Sequence, residues 1–171
     1  MNGLIQYYVN MVMFKATPQD CPVSQALQNT LIIAFVAISV IGALSTYNIW
    51  GSVFTSVLDL AVLYLFVQVL LTGKKERVHQ TLNALLGSGI VIGIVIAICS
   101  HLFQVDPETE TISEAGIFAF FLILIWIVAV YGNIIRHAVD TSLSVGMVIS
   151  FGYVIVNMIV QITLAEALGI S

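Results

Sequence analysis

Five long apolar runs constrain this 171-residue chain more than any other feature. Each run is long enough to cross a bilayer as a helix, which takes roughly 20 residues. Backbone N–H and C=O groups find no water inside a bilayer, so spanning runs of this kind fold as helices. The predicted spans cover about residues 29–49, 52–71, 81–104, 115–136 and 142–167. We therefore predict an all-α membrane protein with a five-helix transmembrane domain over residues 29–171.

The composition supports this fold class. Apolar residues make up 60% of the chain and charged residues only 8%, whereas a soluble domain has about 25% charged residues. Such a chain cannot cover itself with a hydrated surface, so the lipid bilayer is its expected surrounding. A net charge of −4 and the lack of a basic face argue against a nucleic-acid partner.

Residues 1–28 precede the first predicted span and contain a short helical pattern. The apolar stretch 3–15 is too short to cross a bilayer. Asn2, Gln6 and Asn10 are four residues apart and share one narrow helical face, while apolar side chains cover the other faces. This pattern favours a helix that lies at the membrane interface. The alternative is a short helix that packs against the bundle. A turn with two prolines follows.

The basic residues predict the orientation in the membrane. If the N-terminus is cytoplasmic and the chain crosses five times, all five basic residues fall on the cytoplasmic side, which the positive-inside rule favours. They are Lys15, Lys74, Lys75, Arg77 and Arg136. The loop 106–114 carries four acidic residues and no basic residue, and it then faces outward with the C-terminus.

Asp59 is the only carboxylate well inside a predicted span. A charged group at that depth costs at least a few kcal/mol, and it usually faces protein or water rather than lipid. Counting residues from the membrane surfaces brings Asp59 level with Asn157 of the fifth span, whose amide can offset part of this cost with a hydrogen bond. Two interpretations stay open: a buried carboxyl that fixes helix packing, or a proton or cation site.

A second group of polar residues is expected at the cytoplasmic ends of the spans. Side chains of the segment 133–140 share one helical face at spacings of three and four, and the basic loop 72–80 lies nearby. This predicted polar cap consists of Lys74, Lys75, Arg77, His79, Asn83, Asn133, Arg136, His137 and Asp140. It suits a solvated helix end held by an Arg–Asp or His–Asp contact, a docking site for a cytoplasmic protein, or a lipid phosphate site.

Small residues recur at a spacing of four in two spans. Gly89 and Gly93 form a GxxxG pair in the third span, and Gly146 and Ser150 repeat the pattern in the fifth. Small side chains allow helix backbones to approach closely within a membrane. We expect close packing inside the bundle, with self-association into a homo-oligomer as the alternative.

The sequence does not carry the motifs of an enzyme. An intramembrane aspartyl protease needs two aspartates within spans, and Asp59 stands alone. Metal-protease motifs of the H-E-x-x-H type and paired glutamates are missing. Metal binding would require His79, His137 and Asp140 to converge. We expect no catalytic residue, no metal and no other cofactor.

Three patches of sequence carry a resemblance to a known family. They are Gly73–Leu82 (GKKERVHQTL), Gly87–Gly93, and Trp126–Ala138 (WIVAVYGNIIRHA). Together with the order of the spans, they resemble the bacterial branch of the Yip domain family of five-span membrane proteins. The resemblance implies a bacterial inner-membrane protein with a cytoplasmic N-terminus, and it offers no catalytic residue. Eukaryotic members interact with membrane-trafficking small GTPases through N-terminal segments longer than the 28 residues found here.

These observations lead to two functional hypotheses. The first is a non-enzymatic inner-membrane scaffold or accessory subunit, which contacts a membrane or cytoplasmic protein through its cytoplasmic loops and packed helices. The alternative is a small oligomeric transporter or channel-like protein that uses Asp59. The surroundings of Asp59 distinguish them, because only a transporter needs a polar cavity there.

Overall fold

A computed structural model describes residues 2–99 and 113–169, except for the side chain of Asn2. These residues form six α-helices and no strand. The helices are α1 (Asn2–Val12), α2 (Gln25–Ala43), α3 (Ile49–Leu70), α4 (Val78–Cys99), α5 (Glu114–Val139) and α6 (Leu143–Ala167). Helices α2 to α6 are long and apolar enough to cross a membrane, which confirms the predicted fold class. The end of the third predicted span and most of the loop 106–114 lie outside the described residues.

Capping side chains set several helix ends that apolar periodicity alone placed differently. Helix α2 ends at Ala43 rather than near residue 49, and α3 begins at Ile49 rather than near 52. Asn48 is the N-cap residue of α3, because its side chain accepts a hydrogen bond from the backbone N–H of Gly51 at 2.9 Å. Ser142 caps α6 in the same way, through the N–H of Val145 at 3.3 Å.

Helix α4 is the central element of the bundle. Residues 81–88 are all buried, and α4 packs against α1, α2, α3 and α5. Two of its glycines allow the close approach of α2. A Cβ atom on Gly89 would lie 2.8 Å from Cε2 of Phe35, and one on Gly93 would lie 2.7 Å from Cγ2 of Ile38. The expected packing of this GxxxG pair inside the bundle is therefore observed.

Helices α5 and α6 form the most extensively packed pair. A Cβ atom on Gly146 would collide with the carbonyl oxygen of Gly132, and one on Gly132 would lie 2.8 Å from the backbone of Met147. Ser150, one turn further along α6, is fully buried. The small residues predicted in the fifth span thus allow two backbones to cross in direct contact.

Helix α1 packs against the bundle, which corresponds to the alternative that the sequence left open. Tyr8, Met11 and Val12 are buried, and the ring of Tyr8 covers Gly87 of α4, where any larger residue would clash. The indole of Trp126, near the middle of α5, donates a hydrogen bond to the carbonyl oxygen of Val12 at 3.1 Å. The other face of α1 is apolar and exposed, and its position at a membrane interface stays a prediction.

Candidate intramembrane binding site

Asp59 and Asn157 meet inside the bundle. The Nδ2 group of Asn157 donates a hydrogen bond to Oδ1 of Asp59 at 2.9 Å, the contact that counting depth predicts. Lys74 follows α3 and contacts Asp140, which precedes α6, so the two helices run in opposite directions. Asp59 comes ten residues after the start of α3 (59 − 49) and Asn157 ten before the end of α6 (167 − 157). At 1.5 Å per residue, both lie about 15 Å from the end of the bundle that carries the α2–α3 turn.

Two adjoining cavities share this pair of residues. The central cavity has a volume of about 360 Å³ and is lined by residues of α2 to α6, with apolar walls over most of its lining. The polar cavity has a volume of about 260 Å³ and lies among α2, α3 and α6, extending toward Tyr47 at the α2–α3 turn. Asp59, Asn157 and Ser39 line both cavities. The carboxylate therefore lies where the mostly apolar central cavity meets a cavity whose lining has a larger polar share.

Hydroxyl and amide groups line the polar cavity. Thr55, Ser56 and Gln161 are its further polar members within the bundle. The two hydroxyls donate to carbonyl oxygens one turn earlier in α3, Thr55 to Gly51 at 2.9 Å and Ser56 to Ser52 at 2.7 Å. Each hydroxyl oxygen keeps acceptor capacity after making that bond. The lining suits water or a cation better than an apolar ligand.

Two amide oxygens beside Asp59 have no hydrogen-bond partner. Asn157 donates its Nδ2 group to Asp59, and Gln161 donates its Nε2 group to the carbonyl oxygen of Thr55 at 3.1 Å. Because both partners are acceptors, the orientation of each amide is fixed. The oxygens Asn157 Oδ1 and Gln161 Oε1 are then left buried and unpaired among the described residues. An unpaired buried acceptor costs about 1–3 kcal/mol, a cost that a bound donor or cation offsets.

Aromatic rings form one side of the central cavity. Phe35, Tyr131 and Tyr153 line it from three different helices, and the ring centroids of the two tyrosines are 6.1 Å apart. Both tyrosines are buried. Neither hydroxyl forms a hydrogen bond within the part of the chain that the structure describes.

Sequence reasoning singled out Asp59 and Asn157 but missed the groups around them. The spacing of Ser52, Thr55 and Ser56 before Asp59 is a polar stripe at helical periodicity, and Gln161 follows Asn157 by one turn. These signals were present in the sequence. The two tyrosines gave no signal, because an aromatic side chain in an apolar span usually faces lipid or fills the core.

Lys74, Arg77 and Asp140 form an ion-pair cluster, here called the clamp, where the α3–α4 and α5–α6 turns meet. Oδ2 of Asp140 accepts hydrogen bonds from Lys74 Nζ at 2.6 Å and from Arg77 Nη1 at 2.8 Å. The same two cations donate to the last carbonyl oxygens of α5, those of residues 137–139. They thereby cap the C-terminus of α5, where helix carbonyls lack partners in their own helix.

The Arg–Asp contact expected at this helix end is present, and Arg77 of the basic turn makes it. Helix α5 ends at Val139, and Asp140 takes a left-handed conformation with φ of 60°, which turns its carboxylate toward the preceding basic turn. His137 Nδ1 instead contacts the carbonyl oxygen of Asn133 at 2.7 Å. Nε of Arg136 is buried with no described partner.

The other predicted members of the polar cap do not join the clamp. His79 contacts Oε1 of Gln28 in α2 at 2.9 Å, and Asn83 donates to the carbonyl oxygen of Pro22 at 3.2 Å. His79 therefore ties the start of α4 to α2, and Asn83 ties it to the segment before α2. Lys75 is exposed. No three His, Cys, Asp or Glu side chains gather as a metal site in the ranges 2–99 and 113–169.

Hydrogen bonding controls the protonation of the clamp. The hydrogen bond from Lys74 has the largest effect and that from Arg77 the next largest, and they lower the pKa of Asp140 from 3.8 to about 2. The carboxylate is therefore ionised at neutral pH, and the clamp joins two cations to one anion at an exposed position.

Comparisons with known proteins add no relative. No family model matches the chain, and neither a curated protein nor a solved structure matches it.

Proposed function

We propose that the protein is a small membrane transporter or channel-like protein in which Asp59 binds a proton or another cation. One observation carries this proposal: Asp59 lines two adjoining cavities, the central one among α2 to α6 and a more open one among α2, α3 and α6. Ionisable groups within spans usually face such cavities and mark ion or substrate pathways. A carboxylate that served packing alone would need its hydrogen bond to Asn157 but no cavity.

The polar cavity supplies the route to Asp59. Its hydroxyl and amide groups replace part of the hydration shell of an entering cation, as pore-lining oxygens do in channels. The cation then competes with the Asn157 amide for Oδ1 of Asp59. The hydrogen bond between Asn157 and Asp59 joins α6 to α3. Because a bound cation would break it, binding would weaken this contact and allow the two helices to shift.

Flux measurements in liposomes test this function. Purified protein is reconstituted into vesicles that contain a pH-sensitive dye, and a potassium diffusion potential drives cation entry. We expect Asp59→Asn, which keeps the shape of the side chain, to reduce proton flux at least tenfold. Glu166→Gln is the matched control, because Glu166 is exposed near the end of α6. Flux at the native rate in Asp59→Asn would refute the proposal.

A scaffold or accessory subunit is the second candidate function, and a separate cleft favours it. The cleft has a volume of about 210 Å³ and lies beside the clamp, with Gln19, Arg77, Gln80 and His137 in its polar lining. A loop of a partner protein with acidic or amide side chains suits such a lining. We expect a photo-cross-linker at exposed Gln19 to capture one stoichiometric protein in native membranes, and recovery of none would count against this candidate.

We also propose membership of the Yip domain family and a bacterial inner-membrane location with a cytoplasmic N-terminus and a periplasmic C-terminus. The clamp supports that orientation, because the Lys74, Arg77 and Arg136 regions share one end of the bundle. We further propose a homo-oligomer, because several copies of a small bundle can build a transport pathway between them.

A further inference from the structure

The central cavity has features that a proton or a simple metal ion does not use. Its volume of about 360 Å³ falls in the lower part of the range for small-molecule sites, about 300–1,000 Å³. An inorganic ion would contact the polar groups near Asp59 and leave the aromatic side empty. The shape of the cavity therefore fits a ligand with an apolar body.

Unpaired polar groups surround the same cavity. Tyr131 and Tyr153 are 8% and 7% exposed, and their hydroxyls have no hydrogen-bond partner among the described residues. Asn157 also lines this cavity, and its buried Oδ1 atom is unpaired among the described residues. Each of these oxygens can accept a hydrogen bond, as can the Asp59 carboxylate, so together they suit a ligand that donates or carries positive charge.

The aromatic rings add to that preference. A cation within about 6 Å of an aromatic face is attracted by the negative face of the ring. Phe35, Tyr131 and Tyr153 line the cavity together with Asp59. An ionised carboxylate with several aromatic rings is the recognition chemistry of an organic ammonium ion. A quaternary ammonium ion is weakly hydrated, so its entry into a mostly apolar chamber is less costly than entry of a small metal ion.

We propose that the central cavity binds a small organic ammonium ion, with its nitrogen beside Asp59 and its apolar body against Phe35, Tyr131 and Tyr153. This inference rests on the proposed function, because it names the class of cation that Asp59 takes. The polar cavity then serves as the passage for the charged head, and the central cavity holds the apolar body.

A pair of ligands that differ only in charge tests the inference. Benzyltrimethylammonium carries the cationic head and an aromatic body, and neopentylbenzene is its neutral carbon isostere. Binding of each to the purified native protein in detergent is measured by calorimetry. We expect saturable binding of the cation at least tenfold tighter than binding of the isostere. Equal binding of the two would overturn the inference, because it would reflect apolar uptake alone.

Substitutions locate the site. We expect Asp59→Asn to weaken binding of benzyltrimethylammonium at least tenfold and Tyr153→Leu to weaken it severalfold. Tyr64→Leu is the matched control, because Tyr64 lies in α3 but is 45% exposed on the outside of the bundle, and it should bind like the native protein. Native affinity in both site variants would overturn the assignment. If a site variant does not fold, competition of sodium ions with benzyltrimethylammonium on the native protein decides: full displacement by sodium would indicate a site for inorganic cations.

The two proposals fail in different ways. If Asp59→Asn abolishes proton flux in liposomes while the native protein does not bind benzyltrimethylammonium, the transport proposal stands and this inference is wrong. If the native protein binds benzyltrimethylammonium at Asp59 and moves neither it nor protons across the vesicle membrane, the cavity is a binding site and the transport proposal is wrong.

Discussion

At the scale of single residues, the clamp makes stability depend on pH in a defined window. The folded pKa of Asp140, about 2, lies below the ordinary value of 3.8, so the clamp stabilises the fold above about pH 4. That contribution is lost as the pH falls through about 2. We expect Asp140→Asn to lower the thermal midpoint in detergent at pH 7, and most of the difference from the native protein to be lost as the pH falls to about 2.

The choice of asparagine isolates the charge of Asp140. Asn tolerates the left-handed conformation that residue 140 adopts, so the variant keeps the backbone and removes only the anion. Glu76→Gln is the control, because exposed Glu76 lies in the same basic turn and forms no ion pair among the described residues. An equal loss of midpoint at pH 2 and pH 7 in Asp140→Asn would show that the ion pairs are not the cause.

At the scale of helices, substitution of two glycines of α6 is expected to change the free energy of unfolding in opposite directions. Gly146→Ala pushes a Cβ atom into the carbonyl oxygen of Gly132, which cannot move without separating α5 from α6. Overpacking of this kind costs about 1–3 kcal/mol. Gly152→Ala, in the same helix, meets nothing within 4 Å and gains helix propensity. We expect denaturant titration to show a lower free energy of unfolding for Gly146→Ala and an unchanged or higher one for Gly152→Ala.

The same elements show how far sequence reasoning reaches. Helix number, the small-residue crossing at Gly146 and the contact of Asp59 with Asn157 follow from local periodicity and from counting depth along straight helices. The partner of Asp140 does not follow from these rules, because Asp140 adopts a left-handed conformation after α5 and its side chain is thereby redirected. The meeting of Tyr131 with Tyr153 in one cavity depends on how each helix is rotated about its axis, and apolar spans with a weak periodicity leave that rotation undetermined.

At the scale of the whole molecule, five spans require that the α2–α3 turn and the α3–α4 turn lie on opposite sides of the membrane. Single cysteines at Ser45 and Lys75, both exposed, report on the two turns in a Cys21→Ala, Cys99→Ala background. If basic residues determine the orientation, a membrane-impermeant maleimide will label Ser45→Cys in intact spheroplasts and Lys75→Cys only after permeabilisation. The polar cavity leads from Asp59 toward the α2–α3 turn, so this labelling pattern also determines the side of the membrane toward which that cavity extends. The reverse pattern would place the α2–α3 turn, and the cavity that extends toward it, on the cytoplasmic side.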